Sequence, residues 1–185
     1  MKKLETERLI LRPFVLDDVN DFYDYCKLET VGPNAGWEVH TDKEISLKII
    51  KGFIEKGDVL AVYHKDDKKV IGSVGLHKKM DIKGNIMYEV GYVLSTPYEG
   101  KGYMTETVKR VLKHGFEELE IAEVFVCHFV KNTKSKRVIE KCNFIYKKDI
   151  EYQTANYGLK LSRFYSLKRE EYIRNREETK WKNGI

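Results

Sequence analysis

The stretch from Val90 to Glu106 (Val90-Gly91-Tyr92-Val93-Leu94-Ser95-Thr96-Pro97-Tyr98-Glu99-Gly100-Lys101-Gly102-Tyr103-Met104-Thr105-Glu106) holds the residues whose types and spacing point most directly to chemistry. A strand ends, Pro97 turns the chain, Gly100 and Gly102 follow, and a helix begins. The first amides of a helix have no partner inside it, and the macrodipole puts positive potential there. Glycines just before it let the backbone come close to a ligand. That combination makes an anion site of pyrophosphate size. The loop has neither the GxxxxGKS/T of a nucleotide-hydrolysing loop nor GxGxxG. An ordinary strand–turn–helix connection is the alternative.

Three separated segments carry a resemblance. They are Glu5-Thr6-Glu7-Arg8-Leu9-Ile10-Leu11-Arg12-Pro13, then Pro97 to Glu106, then Asn132-Thr133-Lys134-Ser135-Lys136-Arg137-Val138-Ile139-Glu140-Lys141-Cys142-Asn143-Phe144. In this order they resemble the GCN5-related N-acetyltransferase (GNAT) superfamily, and within it the RimJ/RimL-type branch that includes ribosomal-protein N-acetyltransferases. The likeness covers about residues 4–170.

That resemblance implies acetyl-CoA as cofactor, held where the strand at 86–94 splays from the strand at 123–130. The pantetheine would pair with free backbone near Val93 and Leu94. The pyrophosphate would lie on the amides of Gly100, Lys101, Gly102, Tyr103, Met104 and Thr105. Asn132 would touch the pantetheine or thioester end, with Ser135 and Lys136 close by. Ser135 is also the candidate to assist the departing thiolate. Glu89, mid-strand at the mouth of the splay between Tyr88 and Tyr92, is the candidate general base; the alternative is a strand-face glutamate paired with a neighbouring lysine. Tyr88, Trp37 and His40 are the candidate acceptor contacts. The chain departs from the family pattern at Glu99 (Gln or Arg expected), Met104 (a small residue expected), Asn143 (Gly expected) and Ile139, where many relatives carry a proton-donating tyrosine.

The elements that must position these groups read as β-α-α-β-β-β-α-β-α-β-β. Residues 8–14 form a short strand. Asp17 or Asp18 caps a helix with the stripe Val19, Phe22, Tyr23, Cys26. Thr41 and Glu44 form a capping box for a second helix bearing Ile45, Ile49, Ile50, Phe53 and Ile54, which Gly57 ends. Strands at 59–65, 70–78 and 86–94 form an antiparallel meander. The helix after the glycines carries Val108, Val111, Leu112, Phe116 and Leu119 at helical spacing. A strand at 123–130, a helix capped by Asn132, and strands at about 144–151 and 160–168 complete the order. The fold class is α+β, an α/β sandwich with a mixed, mostly antiparallel sheet of about seven strands flanked by about four helices. Residues 1–171 form one acetyltransferase domain, and 172–185 a charged, frayed or weakly helical tail.

With 185 residues the chain suits one core. Its net charge of +5 comes from dispersed lysines, so no direct nucleic-acid partner is expected. The 3 cysteines include no CxxC and the 5 histidines no metal-type spacing, so neither a disulfide framework nor a metal site is expected. Cys142 lies on an apolar stripe and reads as a core thiol. No apolar run is long enough to span a membrane, and no signal-peptide core is present, so a cytoplasmic protein is expected, as monomer or homodimer. Three functions compete: an acetyltransferase for a protein N-terminal α-amine, one for a small-molecule amine (a polyamine, an amino acid or an aminoglycoside), and a non-catalytic acyl-CoA-binding module.

Overall fold

The computed structural model describes residues 1–80 and 83–182. One mixed sheet of 8 strands organises them. The strands are β1 (Leu4–Glu5), β2 (Leu9–Pro13), β3 (Val59–His64), β4 (Lys69–Met80), β5 (Ile86–Leu94), β6 (Glu123–Phe129), β7 (Ile145–Gln153) and β8 (Leu159–Lys168). Their spatial order is β1-β2-β3-β4-β5-β6-β8-β7. The meander β3–β4–β5 is antiparallel, and β5 pairs with β6 in parallel. That parallel pairing runs only through Tyr88 with Val124 and Glu89 with Phe125; beyond it the strands open into a wedge.

The helices are α1 (Val19–Cys26), α2 (Gly32–Ala35), α3 (Lys43–Lys56), α4 (Tyr103–Lys113), α5 (Thr133–Lys141) and α6 (Arg169–Lys182). A π-helical turn, His114–Glu118, extends α4. Strand alternation divides the core in two. Val90 and Tyr92 of β5, with Val124 and Val126 of β6, face the α4 side and pack with Val108, Val111, Leu112 and Ile139. Val59 and Ala61 of β3 and Val93 of β5 face α1 and α3, beside Phe22, Cys26, Ile50 and Phe53.

Several boundaries differ from the sequence reading. The short β1 pairs with β2, and α2 occupies the turn-rich stretch around Pro33. Asp18 makes no side-chain cap; its buried carboxylate receives Arg12 at 2.7 and 2.8 Å and the Val15 amide at 2.9 Å. A charged fork outcompetes a cap for the same oxygens. The α3 cap is Asp42, which accepts from the Ile45 amide at 3.0 Å, one residue past the expected Thr41. Gly57 does end α3, at φ 65°. Of the α3 stripe, Ile50 is fully buried while Ile45 and Ile49 are each 39% exposed, because they face a cleft and not the core. Residues 169–182 are helical, and Tyr172 seats its ring on Phe116 at 5.0 Å. Residues 183–185 of the expected tail lie outside the described residues.

Candidate active site

The glycine loop forms as its residue types require. Gly100 and Gly102 take left-handed φ of 76° and 84°, and a Cβ at Gly100 would meet nothing within 4 Å, so the space above it is open to a ligand. Gly102 then serves as the N-cap of α4 and sends the amides of Tyr103, Met104 and Thr105 toward that space. Arg8 braces the loop from β2's flank. It donates to the Lys101 carbonyl at 3.1 Å, lies 4.3 Å over the Tyr103 ring, and pairs with Glu106 at 2.6 Å. His64 completes the brace, its Nε2 at 2.9 Å from the Tyr103 hydroxyl.

A cleft of about 1150 Å³ starts at this loop, follows the β5–β6 wedge and opens on the α1–α3 side of the sheet. Val93, Leu94, Gly100, Gly102, Tyr103, Met104, Thr105, Asn132 and Ser135 all line it, as do Glu89, Trp37 and His40. Past Glu89 the β6-facing edge of β5 has no strand partner. The open backbone edge, the open space above Gly100 and the helix N-terminus fit an extended molecule carrying amides and a pyrophosphate.

Two expected residues, Tyr88 and Lys136, stand elsewhere. Tyr88 turns away from Glu89, since neighbours on a strand point to opposite faces, and packs against the α4-side core. Lys101 offers its carbonyl to Arg8 while its ammonium sits 5.5 Å over the Tyr98 ring. Lys136 pairs with Glu140 at 3.5 Å on the α5 flank; Lys134, Arg137 and Lys141 line the cleft instead, as helical spacing dictates. Glu99 pairs with Lys134 across the cleft mouth, so its charge is matched within the protein.

At the wedge, Asn132 caps α5 by accepting from the Ser135 amide at 3.0 Å and donates to the Asn34 carbonyl at 3.3 Å, joining α5 to α2. The Ser135 hydroxyl is 2.9 Å from the Tyr92 hydroxyl. Tyr92, unassigned from sequence, thus places a phenol in the wedge from β5 although Ile139 is fully buried. Its alternation with Val90 and Leu94 was the available signal. Burial raises the Tyr92 pKa, and the Ser135 hydrogen bond offsets only part of that rise.

On the α1–α3 side, Glu89 is buried at 6% exposure, pairs with Lys79 and accepts from the Tyr152 hydroxyl at 3.0 and 3.2 Å. Glu89 thus lines the cleft and is also paired with a neighbouring lysine, the alternative to a general base. Burial works against the Lys79 ammonium, but the Glu89 contact outweighs it and the net pKa shift is upward. Burial, then the Glu89 charge, pushes the Tyr152 phenol up to about 12. His40 is pinned to the Ser46 hydroxyl at 2.8 Å, and its ring lies 5.2 Å from that of Trp37. Burial lowers the His40 pKa and favours the neutral ring. Among the described residues no cluster of potential metal ligands occurs, and no helix is long and apolar enough to cross a membrane.

The acetyltransferase (GNAT) domain family model matches residues 8–145. The chain belongs to the GNAT acetyltransferase family. Among curated proteins it is 26% identical to the uncharacterized N-acetyltransferase YnaD of Bacillus subtilis over 75% of this chain and 79% of that one. Its fold matches a GNAT-family acetyltransferase from Bacillus anthracis with a TM-score of 0.81 at 23% identity, covering 92% of this chain and 100% of that chain. It also matches RimL, a ribosomal alpha-N-protein acetyltransferase solved with coenzyme A, with a TM-score of 0.73 at 15% identity, covering 92% and 99% of the two chains. As a GNAT-family chain it is an N-acetyltransferase, with RimL-type proteins among its structural neighbours.

Proposed function

We propose that this GNAT chain transfers an acetyl group from acetyl-CoA to a primary amine, with a peptide or protein N-terminal α-amine as acceptor. The observation that carries this reading is the continuity of the cleft: one channel joins the two-glycine helix N-terminus to the α1–α3 face, where Glu89, Trp37 and His40 stand. Acetyl-CoA supplies the activated acetyl thioester. The amides of α4 hold its phosphates, and the unpaired edge of β5 at Val93 and Leu94 aligns the amide-bearing arm. Ser135, with Tyr92 behind it, offers a hydroxyl to the departing sulfur.

Transfer is direct. The thiols of Cys127 and Cys142 are pushed up to about 12, in both cases chiefly by burial, so neither is the thiolate that an acyl-enzyme would need. A polyamine acceptor is disfavoured because the cleft's buried Glu89 and its rim Glu99 are already matched by Lys79 and Lys134. An α-amine, with a pKa of about 7.7–8, also needs less help to shed its proton than a lysine at about 10.4. The same RimL neighbour, named for an α-amine acceptor, supports this choice.

A panel of peptides with free N-termini, lysine side-chain amines and small amines, assayed with acetyl-CoA by release of free thiol, tests the reading. Turnover with N-terminal peptides above all other amines is expected. Turnover confined to small amines would replace the acceptor class, and no turnover with any amine would remove the catalytic reading.

A further inference from the structure

We propose that His77, held by Asp58, is the group that takes the proton from the acceptor amine; this rests on the acetyl-transfer reading above. His77 is the cross-strand partner of Glu89 and shares its face of the sheet. It lines the same cleft. Its Nδ1 lies 2.7 Å from Asp58 Oδ2. Asp58 is fixed beside β4, where its carbonyl receives the Leu76 amide at 3.0 Å. With Nδ1–H donated to that carboxylate, the neutral ring presents Nε2 as an acceptor.

The sheet is built to admit this ring. Gly75 and Gly91 are themselves cross-strand partners. A Cβ on Gly75 would fall 2.4 Å from His77 Nε2, and one on Gly91 would fall 3.6 Å from it. The ring thus occupies the space a Cβ at 75 would need, while one at 91 would only touch it. Glu89, by contrast, is engaged on both oxygens by Tyr152 and Lys79, and taking a further proton would break that pair. Titratable groups lining the cleft on this side include Glu38 and His40 before α3, Glu89 on β5, Cys127 on β6 and Tyr152 on β7, while α3 contributes Ile45, Ile49 and Phe53; Asp58, just before β3, pairs with His77, and Lys79 on β4 pairs with Glu89.

The proton balance is simple. The amine nitrogen gives one proton to His77 Nε2, its lone pair forms the N–C bond, and the C–S bond breaks with its electron pair leaving on sulfur. The sulfur takes up one proton, and His77 returns its own to water.

The test uses the full chain, acetyl-CoA and a short peptide with a free seryl N-terminus, with thiol release followed from pH 6 to 9. His77→Gln and His77→Ala are expected to lose about 10²-fold in rate at pH 7. They should keep the thermal stabilisation by acetyl-CoA that shows them folded and loaded. Free imidazole should restore part of the His77→Ala rate. The wild-type rate should rise with pH along a limb that both His77 variants lose. Asp58→Asn should slow transfer while keeping the acetyl-CoA stabilisation, since the ring loses the carboxylate that holds its Nδ1. Glu89→Gln should retain the limb whatever it does to the rate. A His77→Gln enzyme with wild-type rate and profile would overturn the proposal, as would loss of the limb in Glu89→Gln alone. A wild-type chain silent toward every amine would instead overturn the acetyl-transfer reading and this inference with it.

Discussion

Tyr92 on β5 and Ser135 on α5 bring two hydroxyls together in the wedge. Ile139 on α5 is fully buried and apolar, so the helix supplies no phenol. Tyr92 supplies one from β5, 2.9 Å from Ser135 Oγ. A phenol whose pKa burial has raised holds its proton firmly, and under the proposed reading it would support Ser135 beside the departing sulfur. Tyr92→Phe is expected to slow transfer by about tenfold, less than the roughly 10²-fold or more that a full acid–base group contributes. Ser135→Ala should cost a similar factor, and the double variant should cost less than the product of the two, because the hydroxyls act as one unit. Steady-state rates for the three variants, each checked for acetyl-CoA stabilisation, decide it. Additive losses would mean that the two hydroxyls work separately.

At the scale of elements, the glycine loop and its brace behave as one part. Gly102→Val places a branched residue at φ 84°, in the left-handed region. The expected result is a folded chain, destabilised by about 1–2 kcal/mol, that no longer gains thermal stability from acetyl-CoA. Unchanged cofactor affinity would refute the loop's assignment. Glu106 gives a pH test of the brace. Burial alone would raise its pKa, but the hydrogen bonds from Thr6 and Arg8 and the Arg8 charge outweigh burial and lower it. A carboxylate with a depressed folded pKa contributes stability that is fully present above its unfolded value of about 4.3 and is lost as pH falls through the folded value. Melting curves of wild type and Glu106→Gln should therefore differ at pH 7 and converge as pH falls through the lowered folded value. A constant gap down to pH 3 would show that the ion pair is not its source.

What could be read from sequence at this scale divides along physical lines. Gly100, Gly102, Asn132 and the β5–α4–β6 crossover were legible because local conformation fixes them: positive φ, a side-chain cap and a parallel connection each leave a residue signature. The exposed faces of Ile45 and Ile49 were not legible, since an apolar helical stripe reads alike whether it meets a core or a cleft. Tyr88 was misplaced because period-2 alternation says that it opposes Glu89 but not which face holds the cleft. Only the packing of Val59, Ala61 and Val93 beneath α1 and α3 settles that. His77 carried no sequence signal of its own, because its partners Asp58 and Gly91 come from two other elements.

The whole molecule is a sheet with a weak seam. Strands β1 to β5 and strands β6 to β8 meet in the sheet only where Tyr88 pairs with Val124 and Glu89 with Phe125. Beyond that point the seam is bridged by side chains such as Tyr92 with Ser135 and Lys134 with Glu99. A ligand lying in the wedge would touch both parts and supply the hydrogen bonds that the β5 edge lacks. Binding to the folded state alone adds RT ln(1 + [L]/Kd), about 2.7 kcal/mol at a hundredfold excess over Kd. Acetyl-CoA is therefore expected to raise the melting temperature by several degrees at saturating concentration. The gain should also be local in hydrogen exchange. Slowing should concentrate in residues 90–94 on β5, in 100–105 across the loop and first turn of α4, and in 132–135 at the start of α5. The meander β2–β3–β4, already paired on both sides, should change least. Coenzyme A without the acetyl group should protect the loop equally if the phosphates meet the α4 amides as proposed. An even slowing over the whole sheet, or no thermal shift at millimolar acetyl-CoA, would show that the wedge is not where the cofactor binds.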